Sequence, residues 1–268
     1  MAVSGGPDST ALLALAVASG AEVTAHHVDH ALRTDSHTEA DVVAGLCRAW
    51  SADFVAHRAV VDDGADLERR CRESRRAVLP VACLTGHTMD DQAETVILRL
   101  LRGTGPVGLA AMDSTTHPML ALRREHTVGL CRHLGVEPLQ DPMNELERFT
   151  RNRVRSEVLP LLRDVAGRDV VPLLARTAEL AGEQADLVAT LASQLDVTDA
   201  RVLAAAPEAL ASEALRGWWR TETGGLLPPD RSAVSRMLSV ADGRHRSCEV
   251  AAGWTLRRSG GRLSLYRS

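Results

Sequence analysis

The chain contains no lysine; all 31 of its basic residues are arginine. That bias alone points to no function. Aromatic residues are scarce too, at four Trp, two Phe and one Tyr in 268 residues, so the core has to be built from Ala, Val and Leu. The five cysteines (Cys47, Cys71, Cys83, Cys131, Cys248) are odd in number and scattered, and no two form a Cys-x-x-Cys pair. That pattern disfavours a disulfide framework, a zinc ribbon or an iron–sulfur site, and makes a reducing cytosol the default compartment. There is no signal peptide and no apolar run of about 18 residues. A soluble, cytoplasmic protein without a membrane partner is expected. The net charge of −4 does not mark a nucleic-acid binder, so only a local basic face could serve that role.

What is present starts at the first residues. A short apolar run, Met1-Ala2-Val3, enters Ser4-Gly5-Gly6-Pro7-Asp8-Ser9, and Thr10 to Val17 leaves as an apolar helix. Gly5 and Gly6 permit positive φ and close backbone approach to a ligand. Pro7 suits the first position of a helix. The uncovered N–H groups of the first helical turn then form an anion site. Ser4 and Ser9 add hydroxyl donors, and Asp8 is a candidate magnesium ligand. The arrangement reads as a nucleotide phosphate cradle, with a plain surface turn as the alternative. Only three residues precede Ser4, whereas a core strand usually has about five or six; either the first strand is a stub or the start lies upstream, and an upstream start is the expectation.

Strand and helix then alternate with short joins. Strands are expected at 21–28, 53–61 and 81–85, and helices at about 36–50, 67–78 and 90–101. This is the pattern of βαβ units: a doubly wound, Rossmann-like parallel sheet with helices on both faces. Ligands in such sheets sit outside the carboxyl ends of the strands. The loops carrying Ser4–Ser9, Asp29–His30 and Gly86–Asp91 all fall there. From about residue 149 the strands vanish. Helices are expected over 153–162, 170–195, 208–220 and 231–240, with a terminal hairpin around Ser259-Gly260-Gly261. Two domains follow, 1–150 for the nucleotide and 151–268 as a smaller, mainly helical domain.

Other residues leave alternatives open. Asp90 and Asp91 sit at a helix N-terminus, where they cap the helix or hold magnesium. Asp141-Pro142 reads as a turn initiator or as a functional carboxylate. Arg148, Arg151, Arg153, Arg155 and Arg163 form a basic stripe, which is a solvated helix face or a nucleic-acid surface. The Leu67–Arg76 helix is a second candidate surface. His26, His27, His30 and His87 lack the spacing of a metal site. Trp218-Trp219 reads as core rather than as a base-stacking pair.

Taken together, Ser4–Ser9, His27-Val28-Asp29-His30-Ala31-Leu32-Arg33, Asp90-Asp91-Gln92-Ala93-Glu94-Thr95, and Asp141-Pro142-Met143-Asn144 followed by Arg151-Asn152-Arg153-Val154-Arg155 resemble the tRNA(Ile)-lysidine synthetase family of PP-loop ATP pyrophosphatases. The resemblance covers roughly residues 2 to 165. The loop lacks the Gly-Lys-Ser/Thr ending of a Walker loop. The resemblance implies a PP-loop ATPase fold, ATP and magnesium as cofactors, and ATP binding by Ser4, Gly5, Gly6, Pro7, Asp8 and Ser9, with Asp8 on the metal. It implies that free lysine is joined to C2 of the wobble cytidine of an isoleucine tRNA with a CAU anticodon, through an adenylated cytidine. Asp29 and Asp141 are the implied catalytic carboxylates, and Arg148, Arg151, Arg153 and Arg155 the implied tRNA contacts. The chain departs from the family at Cys71-Arg72-Glu73-Ser74-Arg75-Arg76, where relatives tend to carry a tyrosine. Rival readings are a PP-loop tRNA thiolase, which needs positioned cysteines, and a non-catalytic ATP-binding protein. Oligomeric state is open between monomer and homodimer.

Overall fold

A computed structural model describes residues 1–32, 36–61, 64, 67–139, 150–225 and 227–267. The chain divides into two compact units, 1–181 and 182–268.

In the first unit, α1 (Pro7–Ala18) leads to β1 (Thr24–Asp29), α2 (His37–Ala49) and β2 (Asp53–Arg58). The two strands pair in parallel, Thr24 opposite Asp53 through Asp29 opposite Arg58. Met1–Val3 lies along the other side of β1, with Val3 N–H on His26 O (2.9 Å) and His26 N–H on Met1 O (2.8 Å). Ala2 N–H reaches outward to Leu84 O at 2.8 Å. The order across the sheet is therefore the 84 segment, the N-terminus, β1, then β2. The strand expected over 81–85 makes no continuous ladder, because Ala82 turns to φ +60° and breaks the extended run. Helices α3 (Leu67–Val78), α4 (Met89–Leu101), α5 (Pro106–Leu109) and α6 (Arg124–His133) follow. Then α7 (Thr150–Arg153) runs through a wide turn at Val154–Val158 into α8 (Leu159–Ala166), closed by Gly167 at φ +62°.

Small aliphatic side chains fill the interior, as the shortage of aromatics requires. Val3, Leu13, Val23, Ala25, Val43 and Cys47 form the core between the sheet, α1 and α2. A second cluster joins Ala93 and Ile97 of α4 to Val154, Leu159, Val170 and Val171. That contact fixes the arginine-bearing α7 segment beside α4. The mainly helical unit carries α10 (Ala200–Ala205), α11 (Glu208–Glu222) and α12 (Arg231–Ala241), while α9 (Val171–Ala192) spans the point of division. It ends in a three-stranded antiparallel sheet, β3 (Ser247–Glu249), β4 (Trp254–Ser259) and β5 (Arg262–Arg267), with β4 and β5 turning at Gly260-Gly261. Trp219 is 1% exposed and meets Trp254 edge-on at 6.1 Å, so it is core. Its neighbour Trp218 is partly buried, with its ring N–H on Glu222.

The expected division at 150/151 and the compact units' division at 181/182 place residues 151–181 differently. Buried contacts between α4 and the stretch from Val154 to Val171 hold these residues to the first unit.

Candidate active site

The phosphate loop is built as its residue types dictate. Gly5 adopts φ +86°, and a Cβ there would lie 2.5 Å from Leu139 Cδ1. Leu139 in turn donates its N–H to Gly5 O at 2.9 Å. Gly6 and Pro7 start α1, whose first-turn N–H groups have no carbonyl partner within the helix. Ser9 organises the loop: its hydroxyl donates to Gly6 O (3.1 Å) and accepts from Ser4 N–H (3.2 Å). Thr10 Oγ1 donates to Gly5 O (3.2 Å). Gly86 packs so closely under the loop that a Cβ would stand 2.7 Å from Asp8 O.

Beside this loop opens a cavity of about 560 Å³. Its wall includes Ser4, Asp8, Asp29, His87, Asp91 and Arg151, drawn from the end of β1, the loops beside it and the first turns of α1, α4 and α7. Asp29, at the end of β1, accepts from Ala31 N–H at 2.7 Å. Burial would raise its pKa, but that bond, the Ser36 hydroxyl and Arg58 hold it below the usual carboxylate value.

The centre of the wall is an ion-pair cluster. Asp91 closes a capping box on α4, accepting from Thr88 N–H and Oγ1, both at 2.9 Å. Its other oxygen takes Arg124 Nη2 (2.9 Å) and Arg151 Nη2 (3.2 Å). Glu94, one turn further and 0% exposed, takes Arg151 Nε and Arg155 Nε, each at 2.7 Å, and Arg124 Nη1 at 3.3 Å. Arg124 also reaches Asp8 (3.4 Å), and Asp8 accepts from the Thr127 hydroxyl. Asp90 points the other way, gripped by the Arg123 fork at 3.0 and 3.1 Å; Arg123 also pairs with Asp169.

Charge balance separates the two central aspartates. Burial would raise the Asp91 pKa, but Arg124 and Arg151 bring it down to about 2. For Asp8, burial outweighs Thr127 and Arg124, and its pKa is raised. It is a carboxylate whose desolvation the Arg124 and Thr127 contacts only partly offset. His87 is held neutral by burial, its pKa lowered to about 3. His27 is 2% exposed; its Nδ1–H donates to Val3 O (3.0 Å), and its Nε2 has no partner among the described residues.

Of the residues singled out in sequence, the structure brings Ser4, Pro7, Asp8, Ser9, Asp29, Arg151 and Arg155 to one cavity. Arg153 is exposed and pairs with Glu157 at 2.8 Å. Asp141 and Arg148 lie outside the described residues. Sequence reasoning missed Arg124, Thr127 and Glu94. Arg124 and Thr127 stand more than a hundred residues from Asp8, and only the packing of α6 on α1 reveals them. Glu94 carried a signal, because it follows Asp90 and Asp91 on the inward face of an amphipathic helix.

A glycine-turned phosphate loop between the segment Met1–Val3, which runs along a parallel sheet, and α1, with acidic residues at a neighbouring helix start, defines a PP-loop nucleotide-binding protein. The family model described as a PP-loop domain matches residues 1–162, and the one described as TilS substrate binding domain matches 199–264. The chain belongs to the tRNA(Ile)-lysidine synthase family, ATP-using ligases of the PP-loop class. It is 40% identical to the tRNA(Ile)-lysidine synthase of Nocardia farcinica, covering 100% of this chain and 91% of that protein. It is 38% identical to that of Mycobacterium bovis, covering 95% and 84%. Among solved structures, the U34-tRNA thiolase NcsA from Methanococcus maripaludis with its [4Fe-4S] cluster aligns with a TM-score of 0.55 over 68% of this chain and 70% of that one. At 15% identity it shows the fold alone. No helix among the described residues is long and apolar enough to cross a membrane.

Proposed function

We propose that this cavity carries out lysidine formation on isoleucine tRNA in two half-reactions. First, the C2 oxygen of the wobble cytidine in a CAU anticodon attacks the α-phosphorus of ATP, and pyrophosphate leaves. Then the free amine of lysine attacks C2, the C2–O bond breaks, AMP departs with the oxygen, and the amine loses its proton. Adenylation is needed because a carbonyl oxygen is a poor leaving group and AMP is a good one.

The observation that carries this reading is the meeting, in one cavity, of the phosphate loop with Asp29 and the arginines of α7 and its continuation. The first-turn N–H groups of α1 bind the departing pyrophosphate, with Ser4, Gly5, Gly6, Pro7 and Ser9 shaping the loop. Magnesium fits at Asp8, whose carboxylate oxygens suit a hard cation and stand on the wall of the cavity beside the phosphate loop. A magnesium ion held by Asp8 would supply positive charge against the pyrophosphate. Asp29 and Asp141 bind the lysine ammonium and take its proton. Arg148 and Arg153 contact the tRNA backbone, and Arg151 and Arg155 line its approach. Residues 1–150 handle the nucleotide and 151–268 the tRNA, in a cytoplasmic enzyme.

The test is release of labelled pyrophosphate from ATP, with and without free lysine and the CAU isoleucine tRNA, alongside incorporation of labelled lysine. Incorporation that needs all three substrates and vanishes in Asp8→Ala is the expected result. ATP binding with no lysine entering any tRNA would sink the reading.

A further inference from the structure

The arginines of this cavity are not equivalent. Arg124, Arg151 and Arg155 are each held by Asp91 and Glu94. Arg75, on the last turn of α3, lines the same cavity and is half-buried, yet it makes no side-chain hydrogen bond or ion pair with any described residue. Arg76 and Arg151 are its cationic neighbours, and its field reaches His30 and His87. The thiols of Cys71 and Cys83 also act on it. Burial, reinforced by those cations, lowers its pKa below the ordinary arginine value.

A half-buried guanidinium with no counter-ion in reach among the described residues loses part of its hydration without repayment. The planar fork on Arg75 matches two phosphate oxygens at once, which a lysine ammonium cannot do. We infer that Arg75 is a phosphate-binding residue of this cavity, completing its ion pair with a phosphate of the RNA backbone or of the nucleotide. The two sources share one chemistry, and naming them rests on the function proposed above.

The experiment uses the full chain with Arg75→Gln and Arg75→Lys and reads three quantities. These are the thermal midpoint, the Kd for α,β-methylene-ATP, and the Kd for the CAU isoleucine tRNA across a salt series. The midpoint is expected to hold or rise in Arg75→Gln, because an uncompensated cation has been removed. One affinity is expected to fall at least tenfold, with Arg75→Lys restoring part of it. A fall in tRNA affinity, with the salt slope smaller by about one, assigns the phosphate to RNA. A fall for the nucleotide analogue assigns it to ATP. If neither affinity moves by more than twofold, or if both fall together with a lowered midpoint, the inference is overturned. Lysine incorporation by the unmodified chain is measured in parallel. If that is absent while Arg75→Gln still weakens one ligand, the proposed function fails and the phosphate assignment stands.

Discussion

Arg124 Nη2 donates to Asp91 Oδ1 at 2.9 Å across 33 residues of chain. The same guanidinium reaches Asp8 of the phosphate loop and Glu94 of α4. One side chain of α6 thus braces the loop of α1 against the acidic face of α4.

Glu94 is the most demanding member of that cluster, fully buried and facing three guanidinium groups. Glu94→Gln keeps the shape and removes the charge. Removing one partner of a buried ion pair costs about 3–5 kcal/mol, so Glu94→Gln is expected to lower the urea midpoint by a matching amount. A midpoint within error of the parent would show that the cluster contributes no net stability.

Asp91 makes stability depend on pH. Its folded pKa lies near 2 against an ordinary 3.8, so the unfolded chain takes up the proton first as pH falls. Its contribution, about 2 kcal/mol by linkage, is complete above about pH 5 and is lost as pH falls toward 2. Asp8, with a raised pKa, works in the opposite sense and offsets part of this. Urea titrations at pH 7 and pH 3 should show the gap between the parent and Asp91→Asn narrowing in acid. A gap independent of pH would refute the assignment.

Asp8 separates stability from activity. Its charge is held in a desolvated position, so Asp8→Asn is expected to leave the thermal midpoint unchanged or raised. The same change is expected to slow pyrophosphate release by at least about a hundredfold, the scale of losing one preorganised electrostatic contact. Parallel melting curves and pyrophosphate assays check both halves. A large drop in the midpoint with residual activity would make Asp8 a structural residue.

Gly5 and Gly86 hold the loop by lacking a side chain. Gly5→Ala meets both the positive φ and Leu139; Gly86→Ala meets the Asp8 backbone, which cannot swing aside. Strain of about 1–3 kcal/mol is expected at Gly5, with weaker binding of α,β-methylene-ATP in both variants. Calorimetric titration of the analogue measures this, and full-affinity binding would show that the loop tolerates a Cβ.

The phosphate loop, the alternation of strands and helices, the capping role of Asp91 and the terminal hairpin were legible in the sequence, because each is a local matter. Glycine spacing, a proline at a helix start and a carboxylate three residues after a threonine act within one turn of chain. The core role of Trp219 was readable from its apolar helix in the same way. The family was legible because four separated blocks occur in order.

What the tertiary structure alone decided is which charges neutralise which. Arg151, Arg153 and Arg155 look alike as a stripe, but helical rotation turns Arg151 and Arg155 onto Asp91 and Glu94 and leaves Arg153 with Glu157 in solvent. Arg124 and Thr127 join Asp8 only because α6 packs on α1, and Arg75 stands apart only because no described carboxylate reaches it. Local geometry follows from neighbouring residues. Pairing of charges tens of residues apart follows from crossovers and packing, which no short stretch of sequence encodes.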